Sequence, residues 1–161
     1  MREHYIVKTV FEKNEYYMIW YSDETDSFVT KSSAVIFFDN FEDTVSYAKK
    51  HGLCIITSDI SLYDFDILRD WLKEPKYNFD SEFFLDFWNI FDDMSKSVSR
   101  EFLGNFSKNT DIYNKLFYGS NLPAIRGNGK EYIPVWNNEE IQRLEKIMND
   151  GMSIFNFIIG V

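Results

Sequence analysis

The sequence predicts an α+β fold: an N-terminal, mostly antiparallel sheet with one strand–helix–strand unit, followed by a C-terminal set of packed helices. Three observations point there. The first forty residues are rich in β-branched and aromatic side chains, as in "HYIVKTVF" and "EYYMIWYS". From residue 60 the apolar residues recur at helical spacing instead. The 161 residues, 45% hydrophobic and 19% aromatic, fit one α+β domain over 1–161. A chain of that size buries roughly 70% of its unfolded surface without a disulfide or metal staple.

Taken in order, the two runs at the N-terminus are strands joined by "EKN" as a hairpin loop. In the second, Tyr16, Met18 and Trp20 point one way and Tyr17, Ile19 and Tyr21 the other. Both faces are apolar, so the strand is expected to be central and covered on both sides. "SDETDS" is an acidic turn, and "FVTKS" and "AVIFF" continue the sheet. "NFEDTVSYAKKHG" reads as a helix capped by Asn40, with Asp43 as a partial capping box and Gly52 closing it. Lys49, Lys50 and His51 sit in its last turn, where the helix dipole favours cations. "LCIITS" is a further strand, making residues 33–57 a parallel crossover unit.

Beyond it, "SLYDFDILRDWLK" is expected to be helical up to Pro75. "SEFFLDFWNIFDDM" forms a helix over 81–94 capped by Asp80, and "SVSREFLGNF" a helix bent at Gly104. "TDIYNKLFYG" is a short helix, and residues 119–136 form an irregular loop. The last helix starts at a capping box, Asn137 with Glu140, stapled by Trp136 against Ile141 and closed by Gly151. The apolar "MSIFNFIIGV" then packs as a tail on the core.

Charge narrows the function classes. Seventeen basic against 26 acidic residues leave a formal net charge of −9. A field of that sign repels nucleic acid and anionic membranes and favours a basic partner. The N-terminus lacks the apolar run of a signal peptide, and ten apolar residues at the C-terminus are too few to span a bilayer. The single cysteine, Cys54, among apolar neighbours, reads as a buried, inert thiol in a reducing compartment. The expectation is a cytoplasmic protein that binds neither membrane nor nucleic acid.

The chemistry-bearing motifs are few. On the helix over 81–94, Glu82, Asp86, Asn89 and Asp93 recur at intervals of four, three and four, giving one polar stripe on an otherwise apolar cylinder. A core helix with one strip facing water accounts for this without chemistry. A di-metal carboxylate site lacks its Glu-x-x-His partner, since the only histidines are His4 and His51. No calcium-loop or zinc spacing appears, so no metal or cofactor is expected. "YGSNL" is not a nucleophile elbow, and "GNGKE" lacks the earlier glycine and the Ser or Thr of a phosphate loop. The chain is therefore read as no enzyme, with a carboxylate-using hydrolase as the alternative.

Protein recognition remains. One candidate surface is the turn with Asp23, Glu24 and Asp26 beside Tyr21 and Phe28; the second is the stripe with Glu82, Asp86 and Asp93. Acidic groups interleaved with rings suit capture of a basic protein: charge raises the association rate and rings supply affinity. The loop 119–136, with Tyr118, Asn121, Arg126 and Tyr132, is a third. Partner-binding residues are thus expected at Tyr21, Asp23, Glu24, Asp26, Glu82, Asp86 and Asp93.

The order "FDNFEDTVSYAKKHGL", "DFDILRDWL", "FFLDFWNIFDDM", "KLFYGSNLPAI" and "EYIPVWNNEEI" resembles small bacterial immunity proteins that accompany polymorphic or contact-dependent growth-inhibition toxins. The resemblance covers roughly residues 35–150. It implies a non-catalytic cytoplasmic antitoxin that binds one cognate toxin domain and blocks it, and a nuclease with a basic cleft would suit an acidic inhibitor. A general protein-binding adaptor is the other alternative.

Overall fold

The computed structural model describes residues 2–161. Strands β1 (Glu3–Phe11) and β2 (Asn14–Tyr21) pair antiparallel from His4↔Tyr21 to Phe11↔Asn14. The expected loop tightens to Glu12 and Lys13, both at positive φ, 51° and 63°. Two-residue hairpins demand that left-handed geometry, normally at the expense of non-glycine residues. Here a distant side chain supports it. The Asp66 carboxylate accepts the amide N–H of Glu12 at 2.7 Å and of Lys13 at 2.9 Å.

After β2 the sheet breaks into short pieces. Strands β3 (Ser27–Phe28) and β6 (Phe37–Phe38) pair with β2, while β4 (Thr30–Lys31) and β5 (Ala34–Val35) form a separate two-stranded ribbon. The expected continuation of the sheet is thus split, with Ser32 and Ser33 turning at φ 52° and 64°. Helix α1 (Phe41–Lys50) follows, Asn40 Oδ1 accepting the Asp43 amide at 2.8 Å. The chain then crosses to β7 (Cys54–Asp64), parallel to β1 at the opposite edge. β6 and β1 both run antiparallel to β2, so β6–α1–β7 is a parallel crossover that skips two strands.

Four sequence expectations are corrected. β7 runs to Asp64, so "SLYD" is strand; α2 (Phe65–Lys73) begins where the Asp64 carboxylate caps the amides of Asp66 and Ile67. Cys54 is exposed, at the start of the edge strand β7. Residues 98–109 form no bent helix. α3 (Ser81–Ser97) stops before Ser99 at φ 54°, and two single 3₁₀ turns follow, fastened by the Leu103 amide on Asp150 Oδ2 at 2.8 Å. Finally, Gly151 lies inside α6 (Asn138–Ile159), and Gly160 at φ 78° closes that helix. A Cβ at Gly151 would stand 2.0 Å from Phe91 Cδ2. That glycine lets α6 approach α3, so the expected C-terminal tail is helical and in the core.

The capping box of α6 forms as read: the Glu140 amide donates to Asn137 Oδ1 at 2.9 Å and the Asn137 amide to Glu140 Oε2 at 3.0 Å. α4 (Thr110–Gly119) and the short α5 (Pro123–Arg126) complete the helices. Lys115 of α4 joins Glu140 of α6 at 2.9 Å, and Arg143 grips Asp111 at 2.6 Å. α1 covers one face of the sheet, and α2, α3 and α6 the other. The core between sheet and helices is built of rings: Phe65 stacks on Phe155 at 3.8 Å, and Phe11, Phe87 and Phe91 pack edge-on around that pair. Edge-to-face and offset contacts of this kind add to the burial of each ring, which is worth ~2–3 kcal/mol. No helix among the described residues is long and apolar enough to cross a membrane.

Candidate functional site

α3 is buried over most of its circumference: Phe84, Leu85, Phe87, Trp88, Ile90, Phe91 and Met94 all face the core. Glu82, Asp86 and Asn89 are exposed and Asp93 is half-buried, so the stripe lies along the side of α3 that is left uncovered. It overhangs the edge of the sheet and encloses a cleft of about 470 Å³. Tyr5, Val7 and Trp20 form the floor, Asp59, Ser61 and Tyr63 of β7 the outer wall, and Asp86, Asn89, Ile90 and Asp93 the roof. Asp26, Asp92 and Lys96 close the inner end.

Five carboxylates therefore meet one cation, and that cation is already committed. Lys96 Nζ binds Asp92 Oδ2 at 2.6 Å, while Asn105 donates to Asp92 Oδ1 at 2.6 Å. Among the described residues Asp26, Asp59, Asp86 and Asp93 form no ion pair. Asp26 accepts from the Ser22 hydroxyl at 2.8 Å. Asp93 accepts from the Trp20 indole N–H at 2.9 Å. The Ser97 hydroxyl, which donates to the Asp93 carbonyl at 2.7 Å, also accepts the Phe28 amide at 2.8 Å and so fixes β3 beneath α3.

The electrostatic result is a strained pair. Burial pushes Asp93 up to about 6, aided by the charges of Asp26 and Asp92 and opposed by the Trp20 hydrogen bond and by Lys96. Burial likewise pushes Asp86 up to about 6, with Glu82 and Asp80 adding to it. Tyr63 lies in the fields of Asp86 and Asp93, and burial together with those charges raises it to about 12. At neutral pH the cleft holds carboxylates that are ionised at a cost, and a cation arriving among them relieves that cost.

The residues expected to bind a partner divide accordingly. Asp26, Asp86 and Asp93 line the cleft. Glu82 stands at the start of the stripe and acts on Asp86 through its charge, without lining the cleft. Tyr21, Asp23 and Glu24 lie outside it: the Arg2 guanidinium covers the Tyr21 ring at 4.4 Å and pairs with Asp23, and Glu24 is exposed. Phe28, expected beside them at the surface, is buried because β3 tucks under α3. Tyr5, Trp20, Asp59, Ser61, Tyr63 and Asp92 belong to the cleft but were not expected there. The period-two pattern does put Trp20 on the Met18 face of β2; which carboxylates that face meets depends on where α3 lies.

Among the described residues no group of three or more His, Cys, Asp and Glu side chains is arranged to hold a metal ion. The larger concavity of about 650 Å³ belongs to the loop surface. Tyr118, Asn121, Ile125 and Tyr132 line it with the cations Lys115, Arg126 and Lys130. It is held open by Asn121, whose side-chain amide exchanges two 2.7 Å hydrogen bonds with the backbone of Tyr132. Ile133 and Val135, 75% and 84% exposed, extend this apolar surface. Comparison with known proteins finds no family model, no curated protein and no solved structure that matches this chain.

Proposed function

We propose that this chain is an immunity protein that binds a cognate toxin domain through the acidic, ring-lined cleft and occludes the toxin's active site. The single observation that carries this reading is the uncompensated charge of the cleft: Asp86 and Asp93 are both held near pKa 6, and the one lining cation is tied to Asp92. A lysine or arginine of a basic protein would supply the missing charge, with Trp20, Tyr5 and Tyr63 giving it flat apolar contact. A nuclease with a basic substrate cleft is the kind of toxin such a surface fits. The protein performs no chemistry of its own in this reading and acts in the cytoplasm.

The raised carboxylates give the hydrolase alternative its one support. Acid–base catalysis by a carboxylate pair works when their environments drive the two pKa values apart. Asp86 and Asp93 are driven in the same direction, each to about 6. They also lie two turns apart on one helix, about 10 Å of axial rise, beyond the spacing of a glycosidase pair. Both facts favour binding.

The test is co-expression with a candidate toxin domain sought in the product of the adjacent gene, followed by titration of the purified pair. Protection of the cell, and an association rate that falls as salt rises, are expected. Replacing Asp26, Asp86 and Asp93 together by asparagine should abolish protection while the protein stays folded. Unchanged protection by that variant would sink the reading, and stable binding to several unrelated proteins would favour the adaptor.

A further inference from the structure

The outer wall of the cleft is also the free edge of the sheet. β7 pairs with β1 on one side, and among the described residues no strand pairs with it on the other. Its register slips between Tyr5↔Ile56 and Ile6↔Ile60, so residues 57–59 bulge out. From Ile60 to Asp64 the pairing with Ile6–Val10 is unbroken. Along that run alternate backbone N–H and C=O groups face outward, which is a template for another strand. Edges are usually blunted by lysine, proline or a bulge. The bulge blunts residues 57–59 here, and Ile60–Asp64 contains neither lysine nor proline.

The two faces of this edge differ in chemistry. Ser61 and Tyr63, with Asp59 beside them, line the acidic cleft. Ile60 and Leu62 fall on the opposite face, 43% and 60% exposed, in register with Ile6 and Lys8. Lys8 is neutralised there by Glu15 at 2.7 Å. A strand added along the edge would carry its own period of two. Every second side chain would stand on the cleft face of the sheet, beside Ser61 and Tyr63 at the mouth of the acidic cleft, and the others would cover Ile60 and Leu62.

We infer that β7 receives a strand of the partner protein in which basic residues alternate with apolar ones. This rests on the reading of the cleft as the binding surface and specifies how the partner enters it. The occupant is a foreign basic strand because charge opposes self-pairing. The chain carries −9, and a second β7 would bring a second Asp59 into the same cleft.

The probe is a capped peptide of about nine residues alternating arginine and valine, with a control of equal composition in which the arginines precede the valines. Amide exchange and shifts are read on the isotope-labelled full chain. The alternating peptide is expected to slow exchange of outward amides between Ile60 and Tyr63 by about tenfold or more, and the grouped peptide to leave them unchanged. Leu62→Lys, at an exposed position and checked for an unchanged melting temperature, should remove the protection, as should Ile60→Lys. Equal protection by both peptides, or none at β7, overturns the inference. If the Trp20 indole shifts with either peptide while β7 amides do not respond, the strand fails and the cleft reading stands. If neither Trp20 nor the β7 amides respond to either peptide, both fail. A dimer of the protein alone that Leu62→Lys dissolves would make a second copy the occupant and also overturn it.

Discussion

The Trp20 indole N–H donates to Oδ2 of Asp93 at 2.9 Å, joining the middle of the sheet to the helix above it. It is the one hydrogen bond that favours the charged form of a carboxylate that burial disfavours. Trp20→Phe keeps a ring and removes the donor. Asp93 is then expected to titrate above 6, as read from its carboxyl carbon in an NMR titration. The fold should lose ~1.5–3 kcal/mol, as for a hydrogen bond to a charged group. An unmoved titration would mean that the indole does not reach the carboxylate in solution.

The pH dependence has a definite sign. Asp86 and Asp93 hold protons up to about 6 in the folded state against 3.8 for an unperturbed carboxyl. Between those values the native chain binds more protons than the unfolded one, so these groups favour folding in acid and that contribution is lost as pH rises through 6. The variant D86N/D93N should be more stable than the parent at pH 7.5, with ~1 kcal/mol from Asp93 after allowance for solvent screening. At pH 4 the two proteins should converge. Urea denaturation at both pH values gives the comparison, and a variant less stable at pH 7.5 would contradict the strain assigned to the cleft.

Gly151 faces the Phe91 ring so closely that a methyl group has no room. Gly151→Ala gains ~1 kcal/mol of helix propensity. It also forces α6 away from α3, and overpacking of this kind costs ~1–3 kcal/mol or more. A net loss of up to ~2 kcal/mol and a lower melting temperature are expected, with Phe91→Leu in the same chain restoring part of it.

Asp66 holds both amides of the Glu12–Lys13 turn. Asp66→Ala should cost ~1–3 kcal/mol, since a backbone pair loses a charged acceptor and a strained turn loses its support. Lys13→Gly, at φ 63°, should recover part of that loss in the double variant. Chemical denaturation of the two single variants and the double variant tests the coupling.

Local signals carried much of this molecule. The caps at Asn40, Asp80 and Asn137 bond as their sequence spacing implies, and the β1–β2 hairpin forms at the expected place. The polar stripe of α3 emerges on the expected side because a helix repeats every 3.6 residues whatever surrounds it. Signals with two meanings misled. Gly151 has the look of a helix end and is a point of close approach, and "SLYD" has helical spacing and lies in an edge strand. A glycine or an apolar pair is read differently once its neighbours are known, and those neighbours are distant in sequence.

The sequence by itself determined the fold class, the acidic balance and the face of α3 that carries Asp86 and Asp93, because each depends on residues within a few turns or on a sum over the chain. Only the tertiary structure decided that Asp26, Asp59 and Asp92 join them around Trp20 and Tyr63, while Asp23 is drawn off to Arg2. Charges act through distance in space, and the spacing between β2, β7 and α3 is set by ring packing in a core that no local pattern encodes.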